Sequence, residues 1–159
     1  MKTTFWPMVG GVGEGFATYL KILNHVREHK MVRAELVLWL KTEFQLAQSY
    51  AKNVADLLLF GPGLIQSQDN GCVLTDAGAQ ILNEAKPNFL YDVFARQFVG
   101  ITDIVEILHL SQPLTWEKLF DLWRVRVSKT SPEVAKWKVS HAKMQFRHRL
   151  DWLRSLTRQ

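Results

Sequence analysis

Apolar positions along the first sixty residues recur at the spacing of helices. Phe16, Tyr19, Leu20, Leu23 and Val26 fall on one face and predict a helix from near Gly15 that fades around Glu28, His29 and Lys30. Leu36, Val37, Trp39 and Leu40 predict a second, over about Arg33 to Glu43. Leu46, Tyr50, Val54, Leu57 and Leu58 predict a third, from about Gln45 to Leu59, stopped by Gly61-Pro62-Gly63. The period then changes. Leu64 to Gln68 and Cys72 to Thr75 read as two short strands around a tight turn at Asp69-Asn70-Gly71, where Asn70 and Gly71 suit the positive φ of the central positions. Thr75 or Asp76 can cap a further helix over about Asp76 to Glu84, with Ile81 and Leu82 apolar.

The order of three helices, a hairpin and a helix, with these residues, resembles a winged-helix domain. The resemblance rests on Val54-x-x-Leu57-Leu58, on Gly63-Leu64-Ile65, on the turn at Asp69 to Gly71 and, above all, on Val73 to Leu82. That last run looks like the LT-x-x-G-x-x-(I/L)L exit from the wing of many winged-helix proteins. The match spans roughly residues 16–85. It implies a helix-turn-helix whose second helix enters the major groove, with the preceding helix and the wing meeting phosphates.

Beyond Pro87 the helical period resumes. Helices are expected over Leu90 to Gln97, over Ile101 to Leu110 and from Trp116 behind a Thr115 cap. A long last helix is expected from Pro132 to about Leu156. Residues 100–156 thus repeat the three-helix half of the first unit, and the chain stops where a second wing would begin. The expected fold is mainly α, a winged helix followed by a second helical, wing-poor helix-turn-helix-like unit. Its parts are an entry segment over 1–15, a winged-helix domain over 16–86 and a second unit over 87–159.

Composition agrees with a folded chain. It is 47% hydrophobic and 22% charged over 159 residues, enough apolar content for a core and too little charge for disorder. The N-terminus has no long apolar stretch of the signal-peptide kind, and no run approaches membrane-spanning length, so no membrane contact is expected. With Cys72 as the single cysteine, no internal disulfide can form, and a cytoplasmic location is the expectation.

Charge adds the strongest cue. Residues 117–159 hold eleven Lys/Arg against four Asp/Glu, a net of +7, which leaves −2 for the first 116 residues. Such asymmetry points to a polyanion or an acidic partner; the plainer reading is a solvated basic helix. Lys136, Lys138, Lys143, Arg147, Arg149 and Arg154 are expected on one helix able to release counterions from phosphates. In the first unit the reading helix offers Gln48, Ser49, Lys52 and Asn53, types that pair with adenine or guanine edges or reach phosphate. The wing offers Gln66, Gln68 and Asn70 but no Lys or Arg, a departure from strongly DNA-binding winged helices.

Other motifs carry less. His25-Val26-Arg27-Glu28-His29 fits the inverted zinc-peptidase pattern H-x-x-E-H, with Glu106 downstream as a third ligand. Three fixed positions recur by chance, and the segment falls at the end of a structural helix, so no metal is expected. Gly10, Gly11, Gly13 and Gly15 do not form G-x-G-x-x-G, since position 16 is Phe16, and no G-K-[ST] is present. Cys72 reads as a buried thiol, and Trp6, Trp39, Trp116, Trp123, Trp137 and Trp152 read mainly as core.

The expectation is therefore a non-enzymatic double-stranded DNA-binding protein without cofactors. It would act as a regulator or as the DNA-recognition subunit of a larger complex, and the resemblance extends to winged-helix modules of restriction and phage-defence systems. A protein partner or a homodimer is expected with it. The rival expectation is a scaffold: tandem winged-helix subunits also mediate protein contacts on chromosome-maintenance-type ATPases. The uncharged wing and the aromatic stretch Phe89, Tyr91, Phe94 and Phe98 favour that use.

Overall fold

The computed structural model describes residues 1–5, 15–69, 71–110 and 113–157. Helix α1 (Gly15–Glu28) turns Tyr19, Ile22, Leu23 and Val26 inward. Helix α2 (Arg33–Glu43) opens with the Val32 N–H donating to the Glu35 carboxylate at 2.9 Å, which satisfies one of the free amides of the helix start. It buries Leu36, Val37 and Leu40. Gln45 takes a φ of 52°, incompatible with a right-handed helix, so α3 starts at Gln48 (Gln48–Asn53) and not at Gln45 as its apolar spacing predicts. It runs on into a π-helical stretch over Val54–Phe60. The wider turn buries Val54, Ala55, Leu58 and Leu59 and leaves Leu57 half-exposed.

Strands β1 (Ile65–Gln68) and β2 (Gly71–Leu74) pair antiparallel, with Ile65 opposite Leu74 and Gln68 opposite Gly71. Strand β1 ends at Gln68 and β2 begins at Gly71, one residue earlier than the turn chemistry suggests. Asn70 lies outside the described residues, and Gly71 starts the returning strand. The Cys72 N–H donates to the Met31 carbonyl at 2.7 Å, which ties β2 to the α1–α2 connection.

Thr75 fastens the junction between β2 and the next helix by three contacts. Its hydroxyl donates to the Gly63 carbonyl at 2.5 Å and accepts from the Gly78 N–H at 3.2 Å, capping α4 (Asp76–Glu84), while its own N–H donates to the Leu64 carbonyl at 3.1 Å. The helix passes so near that carbonyl that a Cβ on Gly78 would sit 2.1 Å from it. Both the threonine and the glycine of the motif thus have a packing reason.

Helix α5 (Pro87–Gln97) begins three residues ahead of its sequence expectation, because proline is accommodated in a first turn. There follow α6 (Ile101–Leu108) and α7 (Trp116–Thr130), the latter capped by the Thr115 hydroxyl accepting from the Lys118 N–H. The expected single helix from Pro132 to Leu156 is two. In α8 (Pro132–Ala135) the last amides close onto carbonyls three residues back, Lys136 to Glu133 and Trp137 to Val134, and the turn ends. Helix α9 (Val139–Thr157) starts afresh behind Lys138, whose carbonyl accepts from Ala142.

The fold is mainly α with one two-stranded sheet among the described residues. Helix α9 packs on α1, α5, α6 and α7, and one buried cluster runs from Phe5 to Leu156. Of the first five residues, Phe5 belongs to it. Lys2 bridges the chain at Phe98, donating its N–H to the Gln97 carbonyl at 2.7 Å and accepting from the Val99 N–H at 2.9 Å. Phe5 packs edge-on against Phe94, Phe98 and Trp152. No helix among the described residues is long and apolar enough to cross a membrane.

Candidate nucleic-acid interface

Helix α9 has two faces. Ala142, Gln145, Phe146, Arg149, Leu150 and Leu153 are buried, whereas Lys143, Met144, Arg147 and Arg154 are exposed. Lys143, Arg147 and Arg154 are spaced by four and seven residues, which sets them in one line over about 16 Å of helix. Lys143 Nζ stands 5.7 Å from the ring centre of Trp116 and 5.8 Å from that of Phe120, two rings stacked at 5.7 Å and 9°. Arg147 and Arg154 share Asp151, each at 3.7 Å. At that length the ion pairs with half-buried Asp151 are weak ones. Lys136 and Lys138 are exposed too, but they lie in the break ahead of α9 and not on it.

Arg149 is the exception among the expected phosphate-binding residues: its side chain is fully buried. Its Nε donates to the Val99 carbonyl at 2.8 Å, Nη1 to the Gln145 carbonyl at 2.8 Å and side-chain oxygen at 3.0 Å, and Nη2 to the Thr3 carbonyl at 2.5 Å. Its guanidinium also lies over the rings of Phe5 and Trp123. Burial lowers its pKa to about 9, so it stays charged near neutrality with carbonyls as its only hydrogen-bond acceptors. Arg149 cannot touch a ligand at the surface. Its spacing with Ala142, Phe146 and Leu153 was the sign in the sequence that it belongs to the apolar face.

On α3, Gln48, Ser49 and Lys52 are exposed, and Asn53 is half-buried. Ala47 precedes the helix and makes no side-chain cap hydrogen bond. On the hairpin, Gln66, Ser67, Gln68 and Asp69 are exposed. Helix α3 packs mainly on α2 and runs into the π-helical stretch, whereas α9 packs on α1, α5, α6 and α7. The two groups of site residues therefore sit on separate elements.

The H-x-x-E-H histidines take part in a ring stack. His25 lies parallel to Trp39 at 3.8 Å and 9°, and His29 lies over His25 at 4.2 Å and 27°. The rings meet face to face, and among the described residues no group of three or more His, Cys, Asp or Glu is placed to hold a metal ion. Burial, and next the proximity of His29, hold the His25 imidazole below its ordinary value. Cys72 is buried, and burial pushes its thiol up. Of the tryptophans, Trp123 and Trp152 are buried, while Trp39, Trp116 and Trp137 are half-exposed; Trp6 lies outside the described residues. The partly exposed Trp116 beside Lys143 was missed as a surface feature, because its helical spacing is that of a core residue.

No protein-family model, curated protein or solved structure matches this chain.

Proposed function

We propose that this chain is a non-enzymatic double-stranded DNA-binding protein, gripping the duplex through the basic face around α9. The observation that carries this reading is the line Lys143, Arg147 and Arg154, preceded by exposed Lys136 and Lys138 and opposed on its own helix by Asp151 alone. Such a face neutralises phosphates and releases their counterions, which supplies affinity with little sequence preference. Gln48, Ser49 and Lys52, exposed on α3, are the candidates for reading base edges. The Thr75–Gly78 closure and the Met31–Cys72 bond support the winged-helix resemblance on which that role for α3 depends. The role we favour is that of a regulator or of the DNA-recognition subunit of a larger, phage-defence-type complex, with any cutting done by a partner.

Fluorescence anisotropy with a labelled duplex at a series of salt concentrations tests the reading. Binding should weaken steeply with salt. Charge reversal of Lys136, Lys143 and Arg147 together should flatten the slope by at least about one per cation. No binding at low salt, or a slope unchanged in the triple variant, overturns it.

A further inference from the structure

Trp116 meets the basic line of α9 as a half-exposed ring. It opens α7 behind the Thr115 cap. Its plane is set by Phe120, parallel to it at 5.7 Å and 9°, and by Phe146 of α9, edge-on at 5.7 Å. Lys143 sets its ammonium over both parallel rings, 5.7 and 5.8 Å from their centres. Exposure separates this ring from the core tryptophans: Trp123 is 0% exposed and Trp152 2%, whereas part of Trp116 reaches solvent. Trp39 is half-exposed as well, but His25 lies parallel against it at 3.8 Å. Glu117 is exposed and follows Trp116 in the chain, yet successive helix residues do not face each other, so Trp116 and Phe120 share a side of α7 that Glu117 does not. A ring held by its neighbours, partly open to solvent and next to an exposed ammonium suits single-stranded nucleic acid, where the cation takes a phosphate and the ring takes a base.

We infer that Trp116 stacks an unpaired base, so that the DNA taken by the α9 face is a duplex that continues into a single strand. The inference rests on the duplex-binding reading and names the form of DNA that the same face takes. Inside a duplex both faces of a base are covered by its neighbours, and a side-chain ring reaches one only if the base leaves the stack. An unpaired base has an open face. A nucleotide whose phosphate meets Lys143 brings its base to the indole, because the ammonium already stands over that ring. Arg147, one turn further along α9, is placed for a neighbouring phosphate. Every base has a π-face, so the contact adds affinity with little sequence preference.

Anisotropy titrations of the full chain at one salt concentration test the inference. The probes are a blunt duplex, the same duplex with an overhang of about six nucleotides at the 3′ or the 5′ end, the same overhangs built of abasic nucleotides, and the overhang alone as a single strand. The native chain should bind at least one overhang duplex about fivefold or more tighter than the blunt one. The gain should vanish with the abasic overhang, which keeps the phosphates and lacks the bases. Trp116→Leu keeps apolar bulk against Phe120 and Phe146 and should lose the gain, whereas Trp116→Phe should keep most of it. Both variants should bind the blunt duplex as the native chain does, and circular dichroism checks that they fold. The abasic comparison needs no variant, so it decides the matter even where a substitution unfolds the chain. No gain, an equal gain with abasic nucleotides, a gain retained in Trp116→Leu, or one lost equally in Trp116→Phe overturns the inference while leaving the duplex-binding reading in place. No binding of the blunt duplex at low salt overturns that reading instead. Single strand bound with the same dependence on Trp116 then still supports the stacking, and single strand left unbound overturns it too.

Discussion

Arg149 donates its Nε–H to the carbonyl of Val99 at 2.8 Å, fifty residues back in the chain. The same guanidinium reaches Thr3 near the N-terminus and Gln145 one turn earlier, so one buried cation joins the first strand-like residues, the α5–α6 connection and α9. The Gln145 side-chain oxygen also accepts from the Phe5 N–H at 2.7 Å, which closes the network. In Arg149→Met these carbonyls lose their donors inside the protein, and a loss of about 3 kcal/mol is expected by urea denaturation. Arg147→Ala, in solvent, should stay within about 0.5 kcal/mol of the native chain. If Arg149→Met is as mild as Arg147→Ala, the network does not hold the fold.

Gly78 approaches the Leu64 carbonyl so closely that an alanine methyl would sit 2.1 Å from oxygen. Backbone on both sides leaves no flexible side chain to move aside. Gly78→Ala should therefore lower stability by about 1–3 kcal/mol, although alanine is the better helix former. A gain in stability in thermal or urea unfolding would show that α4 can shift away from the hairpin.

Helices α1, α2 and α4 were legible because they obey local rules, whereas the positive φ of Gln45 and the π-helical stretch over Val54–Phe60 carry no such local signal. Period marked α1 and α2, and Thr75 and Gly78 announced by residue type the turn from the hairpin into α4. What escaped depends on contacts far along the chain. Arg149 counts as surface charge by type, yet its spacing with Phe146 and Leu153 assigns it to the core, where Val99 and Thr3 supply its acceptors. The break between α8 and α9 has no proline or glycine to mark it, since residues 136–138 are Lys136, Trp137 and Lys138. The entry segment over 1–15 carries no helical period to mark a core residue, yet Phe5 is fully buried among Phe94, Phe98 and Trp152, partners some ninety and more residues away.

His148 donates its Nδ1–H to the Phe5 carbonyl at 3.2 Å from the half-buried edge of α9. Burial first, with Arg149 and Arg147 beside it, holds the imidazole below its ordinary value, against the pull of that hydrogen bond and of Asp151. The folded chain then binds fewer protons than the unfolded one as pH falls through the ordinary histidine range. The contribution is complete above that range and is lost progressively below it. The urea midpoint should drop between about pH 7.5 and about pH 5.5, and His148→Gln should drop less. Equal drops would assign the effect to other groups, His25 among them, whose shift has the same direction.

Lys143 and Gln48 should leave opposite signatures in DNA binding. Lys143 stands over Trp116 on the exposed line of α9, a place for phosphate contact, so Lys143→Ala should weaken binding to every duplex alike and lower the salt slope by about one. Gln48 opens α3 with an exposed amide that can pair bidentately with an adenine edge. Gln48→Ala should leave the salt slope unchanged and relax preference at one base pair by about 1–3 kcal/mol, read by selecting binding sites from a random duplex pool and comparing the preferences of the two proteins. If Gln48→Ala weakens all duplexes equally, or changes nothing in the selected sites, α3 does not read bases. Recognition would then rest on the backbone contacts of the basic face, with any sequence preference supplied by a partner.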